Sequence, residues 1–79
     1  MQFNEAVSKR IYELCDINNY TPNRLAEIST VPPSTLHDII KCKRKKPNAY
    51  HIFQLCKALN ITLKDFYDSD LFLIENIED

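Results

Sequence analysis

Five of the ten lysines and arginines of this chain lie between Lys41 and Lys46, in the run KCKRKKP that ends at Pro47. Cationic side chains packed this closely suit one kind of chemistry. They hold anions through charge-assisted hydrogen bonds, and they suit a polyanion such as a phosphate backbone best. The plain alternative is a charged loop that simply stays in water. Charge is not spread evenly, however: residues 31–50 carry a net +4, residues 51–79 a net −4, and the whole chain −1. A solvated loop has no need of that polarisation, so contact with phosphates is the favoured reading.

Other chemistries find little support. Cys15, Cys42 and Cys56 are odd in number and form no CxxC pair, which argues against a disulfide framework and fits reduced thiols. Cys42, His51 and Cys56 match no zinc spacing, so no metal is expected. Glycine is absent, which removes the Gly-rich phosphate loops of nucleotide enzymes. No Ser–His–Asp or Cys–His arrangement stands out, so the chain does not read as an enzyme, and neither a cofactor nor a small-molecule ligand is expected. No apolar run approaches the ~20 residues of a membrane span. The opening MQFNEAVSKR lacks the apolar stretch of a secretory signal, which makes a cytoplasmic protein the default.

The elements that must carry the basic run are helical. Seventy-nine residues form one domain, and 44% hydrophobic residues suffice for one compact core. Phe3, Val7, Ile11 and Leu14, with Ala6 and Cys15 beside them, predict an amphipathic helix from Phe3 to Ile17, ended by Asn18-Asn19. Thr21-Pro22 supplies a cap and a first helical residue for a second, short helix with Leu25, Ala26 and Ile28 on its inner face. Pro33 starts a third helix, running to about Lys41, whose apolar side is Leu36, Ile39 and Ile40. A fourth, about Ala49 to Leu59, buries Ile52, Leu55, Cys56 and Leu59. A capping box at Thr62–Asp65 opens a fifth. The fold class is all-α: a compact bundle of about five short helices over residues 1–69, followed by an apolar and acidic tail over residues 70–79.

Two short helices joined by the tight turn Ser29-Thr30-Val31-Pro32, with one helix before and two after, make a helix-turn-helix arrangement. TPNRLAEISTVPPSTLHDIIKCKRKKP followed by LCKALNITLKDFY resembles the phage-repressor-type (Xre, Cro-like) helix-turn-helix family, over roughly Val7 to Tyr67. The resemblance implies a lambda-repressor-like DNA-binding domain from a bacterium or phage, acting on double-stranded DNA as a repressor-like transcriptional regulator. It places the third helix in the major groove, with Pro33, Ser34 and Asp38 facing base edges and His37 and Lys41 alongside. It places Lys43, Arg44, Lys45 and Lys46 near phosphates, together with Lys41 and Thr35, and it has Thr21 and Asn23 touching the backbone. Family members usually carry glycine where this chain has Thr30 and Cys42, and glutamine where it has Pro22.

Each residue also has a plainer role. Ser34 and Thr35 fill a first helical turn, and Asp38 sits three residues from Lys41 as an intrahelical ion pair. The family implies a homodimer, for which Leu71, Phe72 and Ile74, with Phe66 and Tyr67, are the candidate self-contact; folding of the tail over its own core is the alternative. A second functional reading keeps the fold but uses it as a protein-interaction module, such as an antitoxin or anti-repressor.

Overall fold

A computed structural model describes residues 1–78. Five α-helices follow one another: α1 (Phe3–Ile17), α2 (Pro22–Ile28), α3 (Pro33–Ile40), α4 (Ala49–Leu59) and α5 (Leu63–Tyr67). Two 3-10 turns, Asp70–Phe72 and Ile74–Asn76, complete the chain, and no strand occurs among the described residues. The helix starts expected from the sequence are the observed ones, α3 ends at Ile40 with Lys41 as its cap, and local chemistry accounts for the starts. The Thr21 hydroxyl accepts the Arg24 N–H at 3.1 Å, and Pro22 takes the first position of α2, where a missing N–H is harmless. Pro33 does the same for α3. The Asn48 side-chain oxygen accepts the N–H groups of Tyr50 (2.7 Å) and His51 (3.3 Å) to open α4. Thr62 and Asp65 exchange two bonds of 3.0 Å at α5.

The helix ends are more unusual. Asn19, Cys42 and Asn60 have φ of 55°, 57° and 57°, the left-handed region that normally favours glycine. Each follows a helix and closes it with a pair of reverse bonds. After α1, Tyr20 N–H reaches Cys15 O (2.9 Å) and Asn19 N–H reaches Asp16 O (3.2 Å); after α4, Ile61 N–H reaches Cys56 O (3.0 Å) and Asn60 N–H reaches Lys57 O (3.2 Å). These are Schellman stops made without glycine. Asparagine tolerates this conformation, whereas cysteine adopts it at a cost.

One core holds the bundle together. Val7, Ile11, Leu14 and Cys15 of α1 meet Leu25, Leu36, Ile39, Ile52, Leu55, Cys56 and Phe66, with Val31 plugging the turn between α2 and α3. Phe66 is 0% exposed. This corrects its expected place in a self-contact: it lies inside the core, on the buried side of α5. Tyr67, Leu71 and Phe72 are half-buried against the same molecule, and the Phe72 ring packs on Phe3 (6.1 Å between centroids), Phe66 (6.2 Å) and Tyr67 (4.9 Å). The tail therefore covers its own core, because the ends of α1 and α5 leave aromatic faces that a small bundle must shield. Ile74 alone of the five is open to solvent, at 94%. Arg10 fastens the same corner, donating from Nε to Phe66 O (2.6 Å) and from Nη2 to Asp65 O (2.8 Å).

Candidate nucleic-acid interface

Burial of Leu36, Ile39 and Ile40 turns the opposite side of α3 outward. Pro33, Ser34, His37 and Lys41 are exposed there, while Thr35 and Asp38 are half-buried at its flanks. Thr21 and Asn23 are exposed at the start of α2. The Thr21 oxygen is used by its own cap, so its hydroxyl still has a proton to donate outward. The turn between α2 and α3 does not use the left-handed geometry that a glycine at Thr30 would allow, since Thr30 is not among the residues of positive φ. Instead the Ser29 hydroxyl accepts the Val31 N–H at 3.4 Å and donates to Ala26 O at 3.4 Å. From α4, Gln54 Nε2 donates to the Thr30 hydroxyl and braces the turn from outside.

The basic loop leaves α3 through the third Schellman stop. Cys42 N–H bonds Ile39 O (3.2 Å), and Lys43 N–H bonds Asp38 O (2.9 Å). Two buried polar side chains of α1 then fix it from beneath. Ser8 Oγ donates to Ile40 O at 2.7 Å, and Asn4 Nδ2 reaches Cys42 O (3.4 Å) and Arg44 O (3.2 Å). Lys41, Lys43, Arg44, Lys45 and Lys46 are all exposed on this support. Phe3 and Gln2 line an open depression with Lys45 and Lys46, so the start of α1 borders the loop directly.

Asp38 does not pair with Lys41 as expected. Its carboxylate stands 3.9 Å from Arg44 Nη2, because the reversal at Cys42 brings the loop back beside α3. At that distance and exposure the pair is weak, and a phosphate could displace it.

Sequence reasoning missed Asn4 and Ser8. They extend the buried row Ile11–Cys15 toward the N-terminus at three- and four-residue steps, so polar residues on an apolar stripe were the available signal. It also missed Tyr50 and Phe53, which project from the outer side of α4.

Cys15 and Cys56 are free thiols buried in the core. Burial pushes the Cys15 and Cys56 thiols up from their ordinary value, with Asp16 and Asp65 adding to the effect. No group of three His, Cys, Asp or Glu side chains among the described residues is placed to hold a metal ion. No helix among them is long and apolar enough to cross a membrane.

A family model described as the Cro/C1-type HTH DNA-binding domain matches residues 10–70. The chain belongs to this family. The crystal structure of the prophage Lp1 protein 11 superposes with a TM-score of 0.80 at 31% identity, covering 89% of this chain and 93% of that one. No curated protein matches the chain. The match extends from Arg10 to Asp70 and so includes α2, α3 and the basic loop, whereas Asn4 and Ser8, which support the loop, lie before it.

Proposed function

We propose that this Cro/C1-type domain is a sequence-specific, repressor-like transcriptional regulator that lays α3 in the major groove and its basic loop on the phosphates. The observation that carries the reading is the fixed position of the loop: five exposed cations directly after the exposed side of α3, held by α1. Cations there neutralise phosphates and release condensed counterions, the main source of sequence-independent affinity. Ser34 and His37 reach base edges from the first turns of α3. Pro33 contributes an apolar contact, and Asp38 accepts from a cytosine amino group once Arg44 turns to a phosphate. Thr21, Asn23, Thr35 and Lys41 set the register on the backbone. Two copies on half-sites one helical turn apart complete the reading.

The test is replacement of Lys43, Arg44 and Lys45 by alanine, followed by binding to duplex DNA over a range of salt. If two copies neutralise ~6 phosphates, the wild-type log–log slope is about −5, and the variant flattens it while weakening binding to all duplexes alike. Unchanged affinity at low salt removes the reading. A second reading, a protein-interaction module on the same fold, is favoured by Ile74, which stands 94% exposed on an acidic tail. Binding to a protein partner with no salt-dependent affinity for duplex DNA is the outcome that would select it.

A further inference from the structure

The segment from Ile39 to Lys64 holds seven of the ten lysines and arginines of the chain and no aspartate or glutamate. It comprises the end of α3, the basic loop, the whole of α4 and the start of α5. Within it, α4 turns two aromatic rings outward. Tyr50 is 64% and Phe53 43% exposed; their rings stack with centroids 6.5 Å apart, and the Lys57 ammonium lies 6.0 Å from the Phe53 ring centre. The three residues follow at steps of three and four, so they form one row along one face. Phe53, in the middle, has Tyr50 on one side along the helix and Lys57 on the other. Tyr50 stands at the end nearest the loop and is the most exposed aromatic ring among the described residues.

We propose that this row and the basic loop together bind single-stranded DNA, with an unpaired base stacked on Tyr50 and the strand's backbone carried along the loop. Aromatic rings beside a cationic track are the general means of holding single strands, because every unpaired base has a free face to stack. Bases inside a duplex are stacked on each other and offer none. Lys46 and Tyr50 are four residues apart, at most ~14 Å of chain, so one short stretch of strand reaches both. Their relation is fixed, since the Asn48 side chain caps α4 by accepting the N–H groups of Tyr50 and His51. No carboxylate of the segment stands against the phosphates. The loop is shared with the duplex reading, but the row is not, and the proposal does not rest on that reading.

DNA fits better than RNA. Telling the two apart takes a polar group placed to meet the ribose 2′-hydroxyl. The one side-chain amide of α4, Gln54, donates to Thr30 instead, so a deoxy strand suffices. The two parts of the site also have different signatures. Cations release counterions, and on a single strand each neutralised phosphate contributes about −0.7 to the log–log salt slope. Five exposed loop cations on five phosphates therefore give a slope of about −3.5. Stacking involves no counterion, so its share of the affinity stays the same as salt rises.

The experiment is fluorescence anisotropy of a labelled oligothymidylate of about twelve nucleotides, inside the usual ~4–16 of a single-strand site. It is titrated with the full chain at several salt concentrations, beside a fully paired duplex of the same length. The wild type is expected to bind the oligothymidylate with the slope of about −3.5. Tyr50→Ser/Phe53→Ser, its folding checked by a melting curve, is expected to lose about tenfold or more at every salt concentration with the slope unchanged. The same variant is expected to keep wild-type affinity for the duplex. Tyr50→Ser alone, at the most exposed position, is expected to show most of the loss, and Tyr50→Phe, which keeps the ring, to retain most of the binding. No oligothymidylate binding by the wild type at low salt overturns the proposal. Equal affinity of wild type and double variant overturns it, as does an equal loss on strand and duplex. An oligouridylate bound more tightly than the oligothymidylate overturns the choice of DNA. A protein that binds the single strand but no duplex removes the major-groove reading and supports this one, so the two fail separately.

Discussion

The Asn4 side-chain amide donates to the Arg44 carbonyl at 3.2 Å, joining the first turn of the chain to the middle of its basic loop. Much of the loop's definition comes from this bond and from Ser8 beneath Ile40, since the charged side chains above it are exposed. Replacing Asn4 with alanine should cost about 1 kcal/mol of stability, the net value of such a bond. It should also loosen the loop, weakening binding to every duplex by about tenfold at most, because ordering a freed segment is an added cost of binding. Titrations at several salt concentrations, with thermal melts alongside, check both effects. Unaltered affinity and slope would mean that the Schellman stop alone positions the cations.

Cys42 and Thr30, which occupy positions where the family favours glycine, should respond oppositely to that replacement. Cys42 sits at φ 57°, so Cys42→Gly should stabilise the fold, by ~1 kcal/mol at most. Thr30 has no such strain and accepts a bond from Gln54, so Thr30→Gly should destabilise it by a similar amount. Denaturant midpoints of the two variants decide the matter.

Phe72 should matter to stability more than to mass in solution. Its ring touches Phe3, Phe66 and Tyr67 of its own chain. Phe72→Ala should cost about 1–2 kcal/mol, less than full burial would imply because the ring is half-exposed. Removal of residues 70–79 should lower the melting temperature further and leave the sedimenting mass that of the wild type. A truncated protein equally stable but smaller in assembly would return the tail to an interface.

Asp65 gives the fold a specific acid sensitivity. The Thr62 backbone N–H first, and the Thr62 hydroxyl second, hold its carboxyl below the ordinary carboxylate value. A carboxyl lowered by folding contributes stability that is complete above its unfolded value, near pH 4, and fades as pH falls through the lowered one. Asp65→Asn should therefore melt at a lower temperature than the wild type at neutral pH. The gap should narrow as the pH drops below about 4. A gap independent of pH would assign the effect to the amide's geometry and not to charge.

Apolar spacing made α1 and α4 legible, and α2, α3 and α5 also carried a start signal in Thr21-Pro22, Pro33 and Thr62 with Asp65. The basic loop was legible because charge localisation and its place after α3 agree. Asn4 and Ser8 were not, because periodicity identifies a buried row but does not say which distant carbonyls a polar member of that row will meet. Phe66 was misplaced because an aromatic near an apolar tail reads alike whether it faces inward or outward. Tyr50 and Phe53 fell between the buried positions Ile52, Leu55 and Cys56 and so drew no notice, although their rings stack on each other on an open surface.

The first turn of α1 also bears on how the molecule is made. Phe3 meets Phe72, and the Glu78 N–H bonds the Met1 carbonyl at 2.8 Å, so the start of α1 finds partners at the far end of the described residues. A nascent chain can wind α1 and dock α2 and α3 on it early, since those contacts are close in sequence. It cannot close the aromatic corner until Phe72 has been made, at translation rates of ~5–20 residues per second. During that interval Phe3 stands open beside the cationic loop, and a stalled or shortened product would expose both to whatever polyanion or chaperone is nearby.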